Sequence, residues 1–432
     1  MFDKYMNLGF NNPYYIDREG SFLVRNKFSE IVKEYGNVLY LDTVAVVEII
    51  DKSYILGDRT LINNISRTPW LAKPNISKTK WEYYPVPQHK KNDIPEYQIA
   101  KDMFNKICDE IKKYIGNRKN VGLLLSGGMD SRMVAGALEF LIMKEHIVDI
   151  EVTCLTWGDL QTRDVVYAKR IADRLKWKWK HYTVSAEDMI NNIEETAMHG
   201  CEYSPVHLHA IPKMRDDNQL DIVLAGSYGD SVGRAEFQGR NVKNLKPISS
   251  NISNIGGLVN QKIFNSCKNE IASDVLGYHQ LYPKEEKYME NELDYQLHYM
   301  RRGLNPCMEL IAEKMDFHQI FTDPGVYGFM WSIDTNRRTN LVYKYMLDEF
   351  VTDLSNIPWA RTGKIYGSST GFADTYKKEH HSYATMLGTE LLPKIRSLVL
   401  SDELSNLGII NRKNILLLLR LIKFFPRKDI YY

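Results

Sequence analysis

Cysteine is scarce in this 432-residue chain. The five present, Cys108, Cys154, Cys201, Cys267 and Cys307, stand far apart. An odd count with no Cys-x-x-Cys pair argues against a disulfide framework and against a structural zinc site. It fits buried free thiols in a reducing cytoplasm, so a cytoplasmic protein is expected. Long hydrophobic runs are missing too: no apolar stretch reaches the about 20 residues that span a bilayer. The opening Met1-Phe-Asp-Lys-Tyr-Met6 has no apolar core of the kind a signal peptide needs. Excess charge is absent, since the net charge is +2, and this removes the electrostatic case for nucleic acid as a partner. The sequence also lacks internal repeats, low-complexity tracts and a Walker-type Gly-x-x-x-x-Gly-Lys-Ser/Thr loop. A hydrophobic share of 44% excludes a disordered chain, and the length allows two domains with a sizeable core.

The residues present divide the chain near position 92. In residues 1–92, Val38–Leu41, Val44–Ile50 and Ser53–Leu56 read as short strands, and Thr68–Pro74 reads as a loop. Ser77–Lys91, rich in Lys, Pro, Trp and Tyr, reads as an extended connector. A small β-rich domain is expected there. From Pro95, strand and helix alternate. A helix over Tyr97–Ile115 precedes a strand ending at Leu125, and further strands are expected over Val148–Thr156, Lys180–Val184 and Leu220–Ala225. Helices fall between them, one opening at Ser185 with a good N-cap. Repeated strand–helix units predict a doubly wound parallel sheet, with ligands at the carboxyl ends of the strands. The loops after Leu125, Thr156 and Ala225 should therefore meet. From about Ile255 the chain reads as mostly helical, through Tyr288–Arg301, Leu304–Lys314 and Arg338–Leu354.

Three loops carry the chemistry. In the first, Val121-Gly-Leu-Leu-Leu-Ser126-Gly-Gly-Met-Asp130-Ser131, a buried strand runs into a short turn and then a helix. Gly127 and Gly128 clear space at the backbone, and the helix start offers free N–H groups and a favourable dipole to an anion. Ser126 and Ser131 add hydroxyls. Asp130 beside a phosphate calls for a bridging cation, and Mg²⁺ is the usual one. The second loop, Gly226-Ser227-Tyr228-Gly-Asp230-Ser, places another carboxylate at a strand's carboxyl end, where it can complete the Mg²⁺ site. The third, Trp359-Ala-Arg-Thr-Gly363-Lys364-Ile-Tyr-Gly367-Ser-Ser-Thr-Gly371, holds a lysine among glycines and serines. Such a loop is expected to be mobile and to fold over a nucleotide, with Lys364 neutralising charge at the α-phosphate.

The first loop resembles the Ser-Gly-Gly-x-Asp-Ser pyrophosphate loop (PP-loop) of the ATP pyrophosphatases. Taken in order, the three loops resemble the synthetase domain of asparagine synthetase and its relatives, β-lactam synthetase among them, over roughly residues 95–380. Asp164-x-x-Tyr-Ala168 and Phe321-Thr-Asp-Pro are weaker echoes of the same family. The resemblance implies a PP-loop sheet with a helical C-terminal part, 93–432, behind a vestigial glutaminase-like domain, 1–92. It implies that ATP and a small-molecule carboxylate give an acyl adenylate and pyrophosphate, and that ammonia or an amine then displaces AMP. Ser126, Gly127, Gly128 and Ser131 would hold pyrophosphate, and Asp130 and Asp230 would hold Mg²⁺. Lys364 would stabilise the transition state. The backbone at Leu123, Leu155, Thr156 and Gly226 would line adenine and ribose.

Three departures stand out. Phe2 occupies the place of the family's nucleophilic cysteine, so glutamine hydrolysis by this chain is not expected, and nitrogen would come from outside, from a separate glutaminase or with a homodimer partner. Ser227 replaces a residue that helps deprotonate the amine and is a poor base, which leaves Tyr228 as candidate. Arg132 stands where a small polar residue is usual. Two other readings compete: an RNA-modifying PP-loop enzyme, and a degenerate nucleotide-binding partner of a separate amidotransferase. His207, His209, His380 and His381 lack partners at metal-ligand spacing and read as satisfied histidines. The apolar, basic Asn414–Lys428 reads as a terminal helix docked on the core, with peripheral membrane contact as its alternative.

Overall fold

The computed structural model describes residues 12–18, 21–36, 38–75, 80–85, 89, 92–236, 246–282, 286–287, 289–368, 374–378 and 381–422. Phe2, His380, Gly371 and the tail beyond Ile422 lie outside the described residues.

The N-terminal part pairs β1 (Tyr14–Arg18) antiparallel with β2 (Ser21–Arg25) on one side and, after α1 (Phe28–Tyr35) and α2 (Thr43–Lys52), with β3 (Ser66–Arg67) on the other. A second antiparallel pair joins β4 (Ala72–Asn75) to β5 (Lys80–Tyr83). Several sequence readings are corrected here. Ser53–Leu56 forms no strand, only an isolated bridge between Tyr54 and Tyr203. Val44–Ile50 is helical: Asp42 caps the first turn through Val44 and Ala45 N–H, and Val44, Ala45, Val47 and Glu48 form the buried face. A short β-branched run fits either periodicity, and its packing against Phe264, Cys267 and Ile271 decides the case. Val38–Leu41 forms no strand, whereas the expected loop and connector contribute β4 and β5, with Pro74 tolerated on a two-stranded edge. Buried ion pairs fix this part to the rest. Glu202 accepts from Arg67 and Arg302, each at 2.8 Å, and Arg301 pairs with Asp58 at 3.0 Å.

Next come α3 (Glu96–Ile115), β6 (Asn120–Leu124), α4 (Met129–Met143), β7 (Glu151–Trp157), α5 (Arg163–Leu175), β8 (Lys178–Tyr182), α6 (Ala186–Met198), α7 (Ile211–Asp217), β9 (Ile222–Ala225) and α8 (Gly229–Arg234). Ser185 and Asp188 close the expected capping box on α6. A helical stretch follows: α9 (Gln261–Leu281), α10 (Met289–Leu293), a wide-pitched segment Asp294–Leu304, and α11 (Asn305–Glu309). The chain then returns to the sheet as β10 (Asp316–Gln319), a strand missed in the sequence because it is four residues long and polar at three of them. The rest is α12 (Pro324–Trp331), α13 (Asn340–Glu349), α14 (Tyr383–Gly388), α15 (Leu392–Val399), α16 (Asp402–Asn406) and α17 (Arg412–Ile422). Helix α17 is seated by buried Leu419 and Ile422 and by Asn414, which donates to the Gly256 and Gly257 carbonyls.

All five core strands run parallel, in the order β10-β9-β6-β7-β8. Strand β6 lies between β9 and β7, with Leu123 paired to Leu224 on one side and Cys154 on the other. The chain winds outward through β7 and β8, then restarts on the opposite flank through β9 and β10. The carboxyl ends of β6 and β9 therefore flank the switch point where such sheets bind ligands. No described helix is long and apolar enough to cross a membrane.

Candidate active site

The turn after β6 is folded on its own hydroxyls. Ser126 N–H donates to Ser131 Oγ at 3.2 Å, the two hydroxyl oxygens lie 3.2 Å apart, and Gly128 N–H donates to Ser126 Oγ at 3.1 Å. No side chain caps the first turn of α4, unlike α2, α6 and α9. Its leading N–H groups are left for an anion. A Cβ on Gly127 would come within 2.9 Å of the Arg163 carbonyl and 3.0 Å of Ala360 Cβ, so glycine is required there by close packing.

The loop after β9 presses onto that turn. A Cβ on Gly226 would meet the Asp130 carbonyl carbon and the Ser131 nitrogen at 2.7 Å. Gly226→Ala is therefore expected to force the two loops apart and cost about 1–3 kcal/mol of stability in a denaturant titration. An unchanged midpoint would mean that the two loops do not touch as described. Tyr228 takes a left-handed backbone, φ 71°, and turns the chain into α8.

These contacts bring Asp130 and Asp230 together. Asp130 is partly buried, its side chain 22% exposed, with one oxygen 3.3 Å from Arg234 Nη2 and the other, Oδ1, without a hydrogen-bond partner. Burial raises its carboxyl above the ordinary range, against the lowering effect of Arg234. Burial, then the Asp130 charge, pushes Asp230 up to about 6. A divalent cation answers both the orphaned oxygen and the facing charges, so the donor set fits Mg²⁺. Arg234 and Glu236, joined at 2.9 Å, were not singled out in the sequence; Arg234 also stacks over Tyr343 and Trp359.

As pH falls through about 6, Asp230 gains a proton that a cation must displace. Mg²⁺ affinity is expected to drop about tenfold per pH unit below that point. Without cation, the raised carboxyl favours the folded state fully below its ordinary 3.8, and this contribution is lost as pH rises through about 6. Mg²⁺ should therefore raise Tm more at pH 8 than at pH 5. Equal shifts at both pH values would contradict the site.

Residues Trp359–Lys364 of the third loop form a tight hairpin. Trp359 and Lys364 pair, with N–H to carbonyl at 2.8 Å, and the Trp359 and Tyr366 rings pack at 5.2 Å. Ala360 N–H donates to the Gly127 carbonyl at 3.1 Å, which seats the hairpin on the first loop. Arg132 explains itself here: fully buried, it donates to the carbonyls of Leu354, Ile357, Pro358 and Gly127 and ties the hairpin's approach to α4. Lys364 is half-buried, and its ammonium makes no ion pair among the described residues. Arg361, paired with Glu236 at 2.7 Å, is the member of this loop that lines the cavity.

Asp130, Gly226, Ser227, Tyr228 and Asp230 open on a cavity of about 430 Å³. Ser227 Oγ rests 3.0 Å from Met308 Sδ. Burial pushes the Tyr228 phenol well above its ordinary value, so its hydroxyl is suited to hydrogen bonding and not to proton abstraction. Leu123 and Leu155 are fully buried in the sheet, and Thr156 Oγ1 donates to the Leu125 carbonyl at 2.8 Å; these three brace the turn and do not line the cavity. The loop after β7 is crossed by residues 374–378, through Lys377 to Gln161 and Arg163 and through Arg163 to Asp374 at 3.0 Å, and nearby His209 meets Tyr383 at 2.7 Å.

A five-stranded parallel sheet with this turn at its switch point is an α/β fold of the PP-loop type. In sequence, residues 109–294 match the family model of asparagine synthase. No curated protein matches the sequence. Among solved structures, the chain is similar to the U34-tRNA thiolase NcsA from Methanococcus maripaludis with its 4Fe-4S cluster. The identity is 13% and the TM-score 0.24, over 54% of this chain and 85% of that one.

Proposed function

We propose that the protein is an AMP-forming ligase that activates a carboxylate with ATP and passes the acyl group to ammonia or an amine. The observation that carries this reading is the meeting of Asp130 and Asp230 beside the uncapped start of α4, where a cation and a phosphate chain can share one place. The serine hydroxyls and α4 N–H groups bind the departing pyrophosphate. Asp130 and Asp230 would hold Mg²⁺, which when bound neutralises charge on the phosphate oxygens. Arg361 faces the cavity and orients the carboxylate for attack on the α-phosphorus. Lys364 stabilises the charge that builds up there. Pyrophosphate exchange into ATP, measured across a panel of carboxylates, tests the reading. Exchange that depends on one acid supports it, and exchange with none refutes it.

The nitrogen does not come from glutamine hydrolysed by this chain. Burial pushes the Cys108 and Cys154 thiols up to about 12 and raises those of Cys201, Cys267 and Cys307, so none of the five is poised as a thiolate. The purified protein is expected to release no glutamate from glutamine. Release abolished by thiol alkylation would overturn this.

A further inference from the structure

The cavity has two unlike ends. Its charged lining, Asp130, Asp230, Glu236 and Arg361, lies at the two loops and the hairpin. The remainder is uncharged: Tyr295, Tyr299, Met300, Leu304 and Met308 supply an apolar, aromatic wall, with Tyr228, Asn305 and Gln319 as its polar members. No lysine, arginine or histidine lies among the described lining residues beyond Arg361, so a second carboxylate on a ligand would meet no counter-charge.

The polar members are oriented, and the orientation can be read. Glu309 accepts from Asn305 Nδ2 at 2.8 Å. A carboxylate only accepts, so this fixes which end of the Asn305 amide is the donor. Asn305 Oδ1 is thereby the acceptor, and it receives Gln319 Nε2. Gln319 must then turn its carbonyl oxygen the other way. That Oε1 is buried, without a hydrogen-bond partner, on a residue that is 0% exposed and lines the cavity. The Tyr228 hydroxyl is likewise buried and unpaired. A buried acceptor without a donor is costly, and a ligand that donates to it removes the cost.

We propose that this cavity takes an acyl substrate with an uncharged, largely apolar or aromatic body ending in a hydrogen-bond donor, and that Gln319 Oε1 receives that donor. Glu309 acts as a positioning residue that sets the amide relay. The inference rests on the ligase reading for the placement of the substrate carboxyl at Arg361, and a volume of about 430 Å³ suits a small acid of this kind.

The test is equilibrium binding of three sodium salts to the full chain: 3-(4-hydroxyphenyl)propanoate, 3-phenylpropanoate and succinate. The hydroxylated acid should bind about tenfold tighter than its unsubstituted analogue, and succinate weakest. Gln319→Leu should erase the hydroxyl's advantage while leaving 3-phenylpropanoate within about threefold. Glu309→Gln should shrink that advantage, because the relay can then invert. The assignment is overturned if succinate binds best, if none of the three binds, or if Gln319→Leu leaves the ratio unchanged. Pyrophosphate exchange separates the two claims. Selective binding without exchange for any acid sinks the ligase reading and leaves the cavity assignment standing, whereas exchange with dicarboxylates alone does the reverse.

Discussion

Asp130→Ala is expected to lower ATP turnover by about 10³-fold or more, the largest effect of any single substitution in this protein. The carboxylate is partly buried, one of its oxygens has no partner, and Gly229 packs directly on it while Gly226 packs on the Asp130 backbone. Its removal takes away one of the two groups proposed to hold the cation and leaves Arg234 facing the phosphates. The loss should appear as weaker Mg²⁺-ATP binding and not merely as slower chemistry, and calorimetric titration of Mg²⁺-ATP reads it directly. The fold should survive. Asp130 is a partly buried carboxylate whose charged form is disfavoured by its surroundings, so an uncharged residue relieves that penalty while Arg234 keeps Glu236. A variant that unfolds would make Asp130 structural. A folded variant with unchanged Mg²⁺-ATP affinity would remove the cation site altogether.

Lys364→Ala is expected to slow acyl-adenylate formation by about 10²–10³ while leaving ATP affinity within a few-fold, because a charge aimed at the transition state contributes little before it forms. The hairpin sits on Gly127 through Ala360, and Arg361 is its member among the described residues that lines the cavity. The pair of variants Lys364→Ala and Arg361→Ala separates their roles. The first should depress the rate constant at saturating acid, and the second should chiefly raise the KM for the acid. Normal pyrophosphate exchange in Lys364→Ala would assign the electrostatic role to Arg361. Lysine-to-arginine exchange should restore little, since a planar fork does not replace a point charge.

The first two loops were legible because their residues are determined by local needs. Gly127 and Gly226 stand where a neighbouring segment leaves no room for a Cβ, and Asp130 and Asp230 follow strand ends, where a parallel sheet gathers its ligands. Four strands of the five could be read from the alternation with helices, three of them, β6, β7 and β9, as apolar runs. The fifth, Asp316–Gln319, could not: it is short and polar at three of four positions, and it is held by its pairing with β9. Helix Thr43–Lys52 was hidden for the opposite reason, since Val and Ile suit a strand until Asp42 caps the segment and α9 covers it. The deep end of the cavity was silent in the sequence. Tyr299, Asn305, Met308 and Gln319 carry no motif, and they are neighbours because the segment 294–309 and β10 come together at the switch point. Arg132 looked like a departure within a catalytic loop, yet its four carbonyl acceptors give it a bracing role that spacing along the chain cannot reveal.

The central claim is that this site cleaves ATP between the α- and β-phosphates. Separating the nucleotide products after incubation with Mg²⁺-ATP, an acid that supports exchange and ammonium tests it most directly. AMP and pyrophosphate in equal amounts are the expected result, whereas ADP and inorganic phosphate would contradict it.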